Sequence, residues 1–176
     1  MKDMKTLIGD TLGEMVKQKS FDQITVTELV EACHISRQTF YYHFQDLLDV
    51  VDFVVKKTLD EILARSGEAD DLYSAIRTIV YHVQEIQPVL QKGLRSNRRE
   101  QMESIISSTI RQALDVYFDD LPVPKDVPEG DISIIKDFYA YGIMGFLIDH
   151  RISTETEADI LAGQIYRLIS LALMNY

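Results

Sequence analysis

The chain has 176 residues, 46% apolar and 26% charged, with eight glycines and four prolines; this suits one core-bearing domain, or a small one fused to a larger, and excludes disordered and fibrous classes. A net charge of −10 argues against non-specific coating of nucleic acid, while leaving room for a locally basic reader of one short site. The single cysteine, Cys33, excludes an internal disulfide framework and fits a reducing cytoplasm, the expected location.

Apolar residues recur at helical spacing from end to end, with almost no strand signal and no internal repeat, so the expected fold is all-α with about nine helices. The first runs from about Lys2 to Lys19 and buries Leu7, Ile8, Leu12, Met15 and Val16. Phe21 and Ile24 anchor the turn that follows. Thr25 and Glu28 form a T-x-x-E capping box, which starts a short second helix with Val26, Leu29, Val30 and Cys33 inward. After the joint "CHIS", Ser36 is a good N-cap for the third helix. Asp46 caps a long fourth helix with the stripe Leu47, Val50, Val51, Val54, Val55, Leu59, Ile62 and Leu63. A fifth carries Leu72, Ile76, Ile79, Val83 and Ile86 and is expected to stop or kink at Pro88, with "PVLQKG" a short helix of its own closed by Gly93. Asn97 and Glu100 resemble a further capping box, for a helix to about Phe118. "DDLPVPKDVPEGD" is the clear loop, and two apolar-rich helices, roughly 131–150 and 155–175, finish the chain, the last opened by Thr154 and Glu157. The apolar runs "VVDFVV" and "IYRLISLALM" fall short of a membrane span, and the acid-bearing N-terminus lacks the apolar core of a signal peptide. No Cys/His cluster has metal-ligand spacing, so neither metal nor cofactor is expected.

The third helix, "SRQTFYYHF", crowds more large side chains than a short helix can bury. At about 100° per residue, Phe40 and Phe44 align on one side with Ile35 beside them. Gln38 and Tyr42 then fall opposite, flanked by Thr39 and Tyr41, with Arg37 at the open end. A bland solvent face would carry Glu, Lys and Ala; this one offers flat, hydrogen-bonding groups of the kind that read base edges and phosphates. A major groove admits one such helix, braced by a second across it. The joint between them needs a residue that tolerates positive φ, and His34 stands there. A generic helical hairpin in a bundle is the other reading of this pattern.

Ile24, Thr25, Val26, Leu29, Val30, Ala32, Ile35, Ser36, Thr39, Phe40, Tyr41, His43 and Phe44 stand in the order of the N-terminal signature of the TetR/AcrR family of bacterial transcriptional regulators, which the chain resembles over about residues 4–55. Downstream, "FYAYGIMGFLIDHRISTETEA" is more weakly similar to that family's eighth helix and following turn. Two positions depart from the family pattern: His34 replaces a glycine, and Leu47 replaces a phosphate-touching lysine, which should weaken DNA affinity.

The resemblance implies a DNA-binding domain over residues 1–46 and an effector-binding and dimerisation domain over 47–176. It implies Arg37, Gln38 and Tyr42 as base readers, and Thr39, Tyr41 and His43 as phosphate contacts, helped by Thr25 and Thr27; half-buried packing is the rival role for His43. It further implies a homodimer on a palindromic operator, most simply a repressor, and a non-enzyme, controlled by a small-molecule effector or alternatively by a partner protein, in which case an activator is also open. Pocket candidates are Tyr73, Arg77, Tyr81, His82, Tyr139 and Tyr141, for each of which ordinary packing is the competing reading. The run "ILAGQIYRLISLALM" is apolar around most of its circumference, so Gly142, Gly145, Ile165, Leu168, Ile169 and Ala172 are expected at a dimer interface, unless those helices only close an intramolecular bundle.

Overall fold

A computed structural model of the protein describes residues 3–119, 129–149 and 151–174. The described residues form an all-α fold of eight helices and one 3-10 turn. They are α1 (Met4–Gln18), the 3-10 turn Phe21–Gln23, α2 (Val26–Ala32), α3 (Arg37–His43), α4 (Leu47–Gly67), α5 (Leu72–Leu94), α6 (Arg99–Asp119), α7 (Glu129–Asp149) and α8 (Glu155–Met174).

One local device starts most of these helices. An oxygen-bearing side chain just before the first turn accepts from an amide that has no partner inside the helix. Asp3 accepts from the Thr6 amide at 3.0 Å, Ser36 from Thr39 at 3.0 Å, Asp46 from Leu48 at 2.7 Å and Asp71 from Ser74 at 2.7 Å. Thr25 with Glu28, and Thr154 with Glu157, close reciprocal boxes.

A continuous core runs from Ile8, Leu12 and Val16 of α1, through Phe21, Leu29, Phe40, Phe44 and Val50, to Leu94, Met102, Ile106, Ala140 and Met144. Burying a side chain such as Phe40 contributes about 1.5–3 kcal/mol. A second cluster, Ile76, Val80, Ala158 and Ala162, joins α5 to α8. Where α1 crosses α4 the backbones approach closely: a Cβ added to Gly9 would lie 2.7 Å from Val54 Cγ2.

The two elements expected on either side of Pro88 are a single helix, α5, with Pro88 inside it. Proline removes one amide from the ladder, but packing on both sides holds the helix together. Gln87 is buried and its Oε1 accepts from the Ile152 amide at 2.8 Å, while Val89, Leu90 and Leu94 pack into the main core. The helix expected to open at Asn97 begins instead at Arg99, with Arg98 O accepting its first bond from the Met102 amide. The Asn97 amide that a capping box would give to Glu100 is taken by the Asp22 carboxylate, 3.1 Å from each oxygen. The expected proline-rich loop lies mostly outside the described residues.

Candidate nucleic-acid interface

The N-terminal unit is built from α2, a tight joint and α3. At the start of α2 the Glu28 carboxylate accepts from the Thr25 amide at 2.9 Å and from the Lys19 ammonium at 2.6 Å. Lys19 foremost, then the two Thr25 donors, hold that carboxyl below its ordinary range. In the joint the Cys33 amide donates to Leu29 O at 2.9 Å and the Ile35 amide to Val30 O at 3.0 Å. The reversal needs one left-handed residue, and His34 supplies it at φ 55°.

On α3 the two phenylalanines face inward: Phe40 is 0% and Phe44 3% exposed, and Phe44 meets Phe53 of α4 edge-on at 5.7 Å. Opposite them, Tyr42 is 83% and Tyr41 59% exposed, and Arg37 and Gln38 are exposed as well. Thr25 is exposed, and Thr27, Thr39 and His43 are half-buried. The His43 ring sits edge-on to Tyr42 at 4.9 Å. The Arg37 guanidinium crosses to α2 and donates to Thr27 Oγ1 at 2.6 Å, a link that sequence spacing did not signal. Cys33 is buried. Leu47, at the family's lysine position, is half-buried and packs against the core.

The six pocket candidates lie along three seams. Between α5 and α8, Arg77 Nε pairs with Asp159 at 2.7 Å, the Tyr81 hydroxyl donates to the same carboxylate at 3.2 Å, and Tyr73 stacks edge-on with Tyr166 at 5.8 Å. The hydrogen bond from Arg77 keeps the Asp159 carboxyl below the usual range, while burial first, and Asp159 second, push the Tyr81 phenol up. Between α4 and α5, His82 Nδ1 lies 3.3 Å from Arg65. On α7, Tyr139 and Tyr141 are exposed, with Arg111 of α6 over the Tyr141 ring at 5.6 Å. An open cleft of about 340 Å³ between α6 and α7 is lined by Glu103, Ser104, Ser107, Tyr141, Met144 and Gly145. Another, of about 420 Å³ between α1 and α4, includes Lys5, Phe44, Asp52 and Phe53.

Of the residues expected at a dimer interface, Gly142 and Gly145 lie on α7, and among the described residues no atom comes within 4 Å of a Cβ added at either. Ile165 packs with the α5–α8 cluster. The side chains of Leu168, Ile169 and Ala172 lie outside the described residues. A row that sequence reading missed is Ile134, Phe138 and Tyr141, spaced along one face of α7 and 69%, 74% and 65% exposed. The signal was present but ambiguous, since α7 is apolar all round its circumference.

A buried-phenylalanine helix with a flat polar outer face, braced by a capped neighbour, defines a helix-turn-helix DNA-binding protein. Residues 12–47 match the family described as bacterial regulatory proteins, tetR family, and residues 70–170 match the transcriptional regulator C-terminal region of TetR proteins. The chain belongs to the TetR family of transcriptional regulators. One relative, the uncharacterized HTH-type transcriptional regulator YuxN of Bacillus subtilis (strain 168), is 30% identical over 88 residues, which is 46% of this chain and 30% of the relative. The aligned stretch therefore spans less than a third of that relative's length. Among solved structures, the dihydroxyacetone kinase operon activator DhaS superposes with TM-score 0.67 at 17% identity, covering 98% of this chain and 97% of its own. A TetR-family regulator from Syntrophomonas wolfei str. Goettingen gives 0.63 at 16% identity, covering 95% and 94%. The TetR family repressor AlkX from Dietzia sp. strain DQ12-45-1b gives 0.61 at 12% identity, covering 98% and 96%. At these identities the likeness is one of fold. Among the described residues no helix is long and apolar enough to cross a membrane.

Proposed function

We propose that the chain is a cytoplasmic, non-enzymatic repressor that binds a palindromic operator as a homodimer through residues 1–46 and is released when an effector engages residues 47–176. The observation that carries this is the polarity of α3, with Phe40 and Phe44 inside and Arg37, Gln38, Tyr41 and Tyr42 outside. Arg37, Gln38 and Tyr42 read bases in the major groove; Thr25, Thr27, Thr39, Tyr41 and His43 hold phosphates. A palindrome places the two α3 copies about one helical turn, roughly 34 Å, apart. The Ile134, Phe138 and Tyr141 row on α7, with Gly142, Gly145 and the apolar residues of α8, supplies the pairing surface. The long α4 runs directly from the reading unit into the C-terminal helices, so an effector that shifts it changes the spacing of the half-sites.

The test is selection of binding duplexes from a randomised library, followed by anisotropy titration in rising salt. Specific, saturable binding by a dimer is expected; binding indifferent to sequence overturns the reading. Effector and operator must also weaken each other by one common factor.

Control by a partner protein is the second reading. It is favoured by the spread of the six pocket candidates over three seams, with only Tyr141 lining the α6–α7 cleft. Under it, an activator is as natural as a repressor. Recovery of a stoichiometric protein partner that changes operator affinity would select this reading.

A further inference from the structure

The reading unit is poor in positive charge: through Gln45 it holds five Lys/Arg against six Asp/Glu, and Lys17 and Lys19 are paired with Glu14 and Glu28. The turn between α5 and α6 is the opposite. From residue 86 to residue 99 there are four cations, Lys92, Arg95, Arg98 and Arg99, and no acid. All four are exposed. Arg99 is paired with Glu103 at 2.6 Å, and the Lys92 ammonium caps the Lys17 carbonyl. Among the described residues Arg95 and Arg98 have no ion-pair partner.

The turn is fastened to the DNA-reading unit. The Asn97 amide is held by Asp22, and Leu94 and Met102 share the core of Val16 and Phe21. Asp22 stands three residues before Thr25, the N-cap of α2, a chain reach of about 11 Å at most. The arginine side chains add several ångströms more, and their charge acts over a Debye length of about 8 Å at physiological salt.

We propose that Arg95 and Arg98 form a second, sequence-blind contact to the phosphate backbone flanking each half-site. It stands in for the charge missing at Leu47. The occupant is duplex DNA because the turn is locked beside the reading unit, whose own cations are few, with Lys17 and Lys19 spent on ion pairs. This inference rests on the operator-binding reading above.

The test compares wild type, an Arg95→Ala/Arg98→Ala double variant and an Arg95→Lys/Arg98→Lys double variant. The probes are a selected duplex ending at the half-sites and the same duplex extended by a helical turn on each side. Melting curves confirm the fold, which these exposed side chains do not support. On the extended duplex the alanine variant should lose about 1 from the slope of log affinity against log salt for each arginine that meets a phosphate. Its base preference should be unchanged, the lysine variant should keep the slope, and the short duplex should show a smaller loss. An equal slope for wild type and the alanine variant on the extended duplex overturns the proposal, including the case in which the alanine variant instead loses an acidic protein partner. If wild type binds no duplex at all, the operator reading falls with it.

Discussion

Arg37 Nη2 donates to Thr27 Oγ1 at 2.6 Å, so the first residue of α3 is held against the first turn of α2. The guanidinium and the hydroxyl therefore share one side of the unit, and under the proposed function Arg37 exchanges Thr27 for a base on the operator. Arg37→Ala should relax preference at one operator position, with about 1–3 kcal/mol of discrimination lost there. Thr39→Ala should weaken all sequences about equally. Anisotropy on a panel of single-base operator variants separates the two; a uniform loss for Arg37→Ala would move that residue to the phosphate class.

His34 carries the positive φ that lets α2 turn into α3. His34→Gly should be neutral or stabilising in a urea melt, because glycine adopts this conformation without a Cβ clash. His34→Val should cost about 1–2 kcal/mol or more, since a β-branched residue is strained there. Equal stabilities for the two variants would mean that the joint relaxes out of this geometry.

Gly9 sets the closeness of α1 to α4. Its missing Cβ would meet Val54 Cγ2 at 2.7 Å. Gly9→Ala is expected to destabilise by about 1–3 kcal/mol through overpacking, despite the better helix propensity of alanine. Adding Val54→Ala opens the space, so a double-mutant cycle should show a favourable coupling. Simple additivity in thermal melts would sink this account.

Glu28 gives the capping box a pH dependence. Its carboxyl is held below the ordinary 4.5 by Lys19 and Thr25, so the folded state binds its proton less readily than the unfolded chain. The stabilisation is fully present above about that ordinary value and is lost as pH falls through the lowered one. Glu28→Gln, which keeps one acceptor but no charge, should therefore be less stable than wild type at neutral pH and close the gap in acid. Melting curves taken down to strongly acidic pH check this; a gap that does not shrink would contradict it.

Phe138 projects from α7 with three-quarters of its surface exposed, beside Ile134 and Tyr141. Phe138→Glu should move the proposed dimer toward monomer in sedimentation while leaving secondary structure intact. Operator binding should then lose its steepness, because each half-site is filled separately. An unchanged dimer would place the pairing surface elsewhere.

Features set by neighbours in the chain were legible without coordinates. Thr25 with Glu28, Thr154 with Glu157, the inward turn of Phe40 and Phe44, and the strained place of His34 all follow from capping chemistry, the 100° helical step and backbone sterics, each acting across a few residues. Features set by contacts between distant segments were not. Helix α5 runs through Pro88 with Gln87 held by Ile152 and Leu94 buried in the main core, while Asp22 takes the Asn97 amide that a capping box would have given to Glu100. The exposed face of α7 could not be chosen from a helix apolar on every side, and Arg77 met Asp159 only once α8 lay along α5. Local propensity selected the helices and aimed the reading one; burial between remote segments decided where helices end, which faces stay open and which charges are paired.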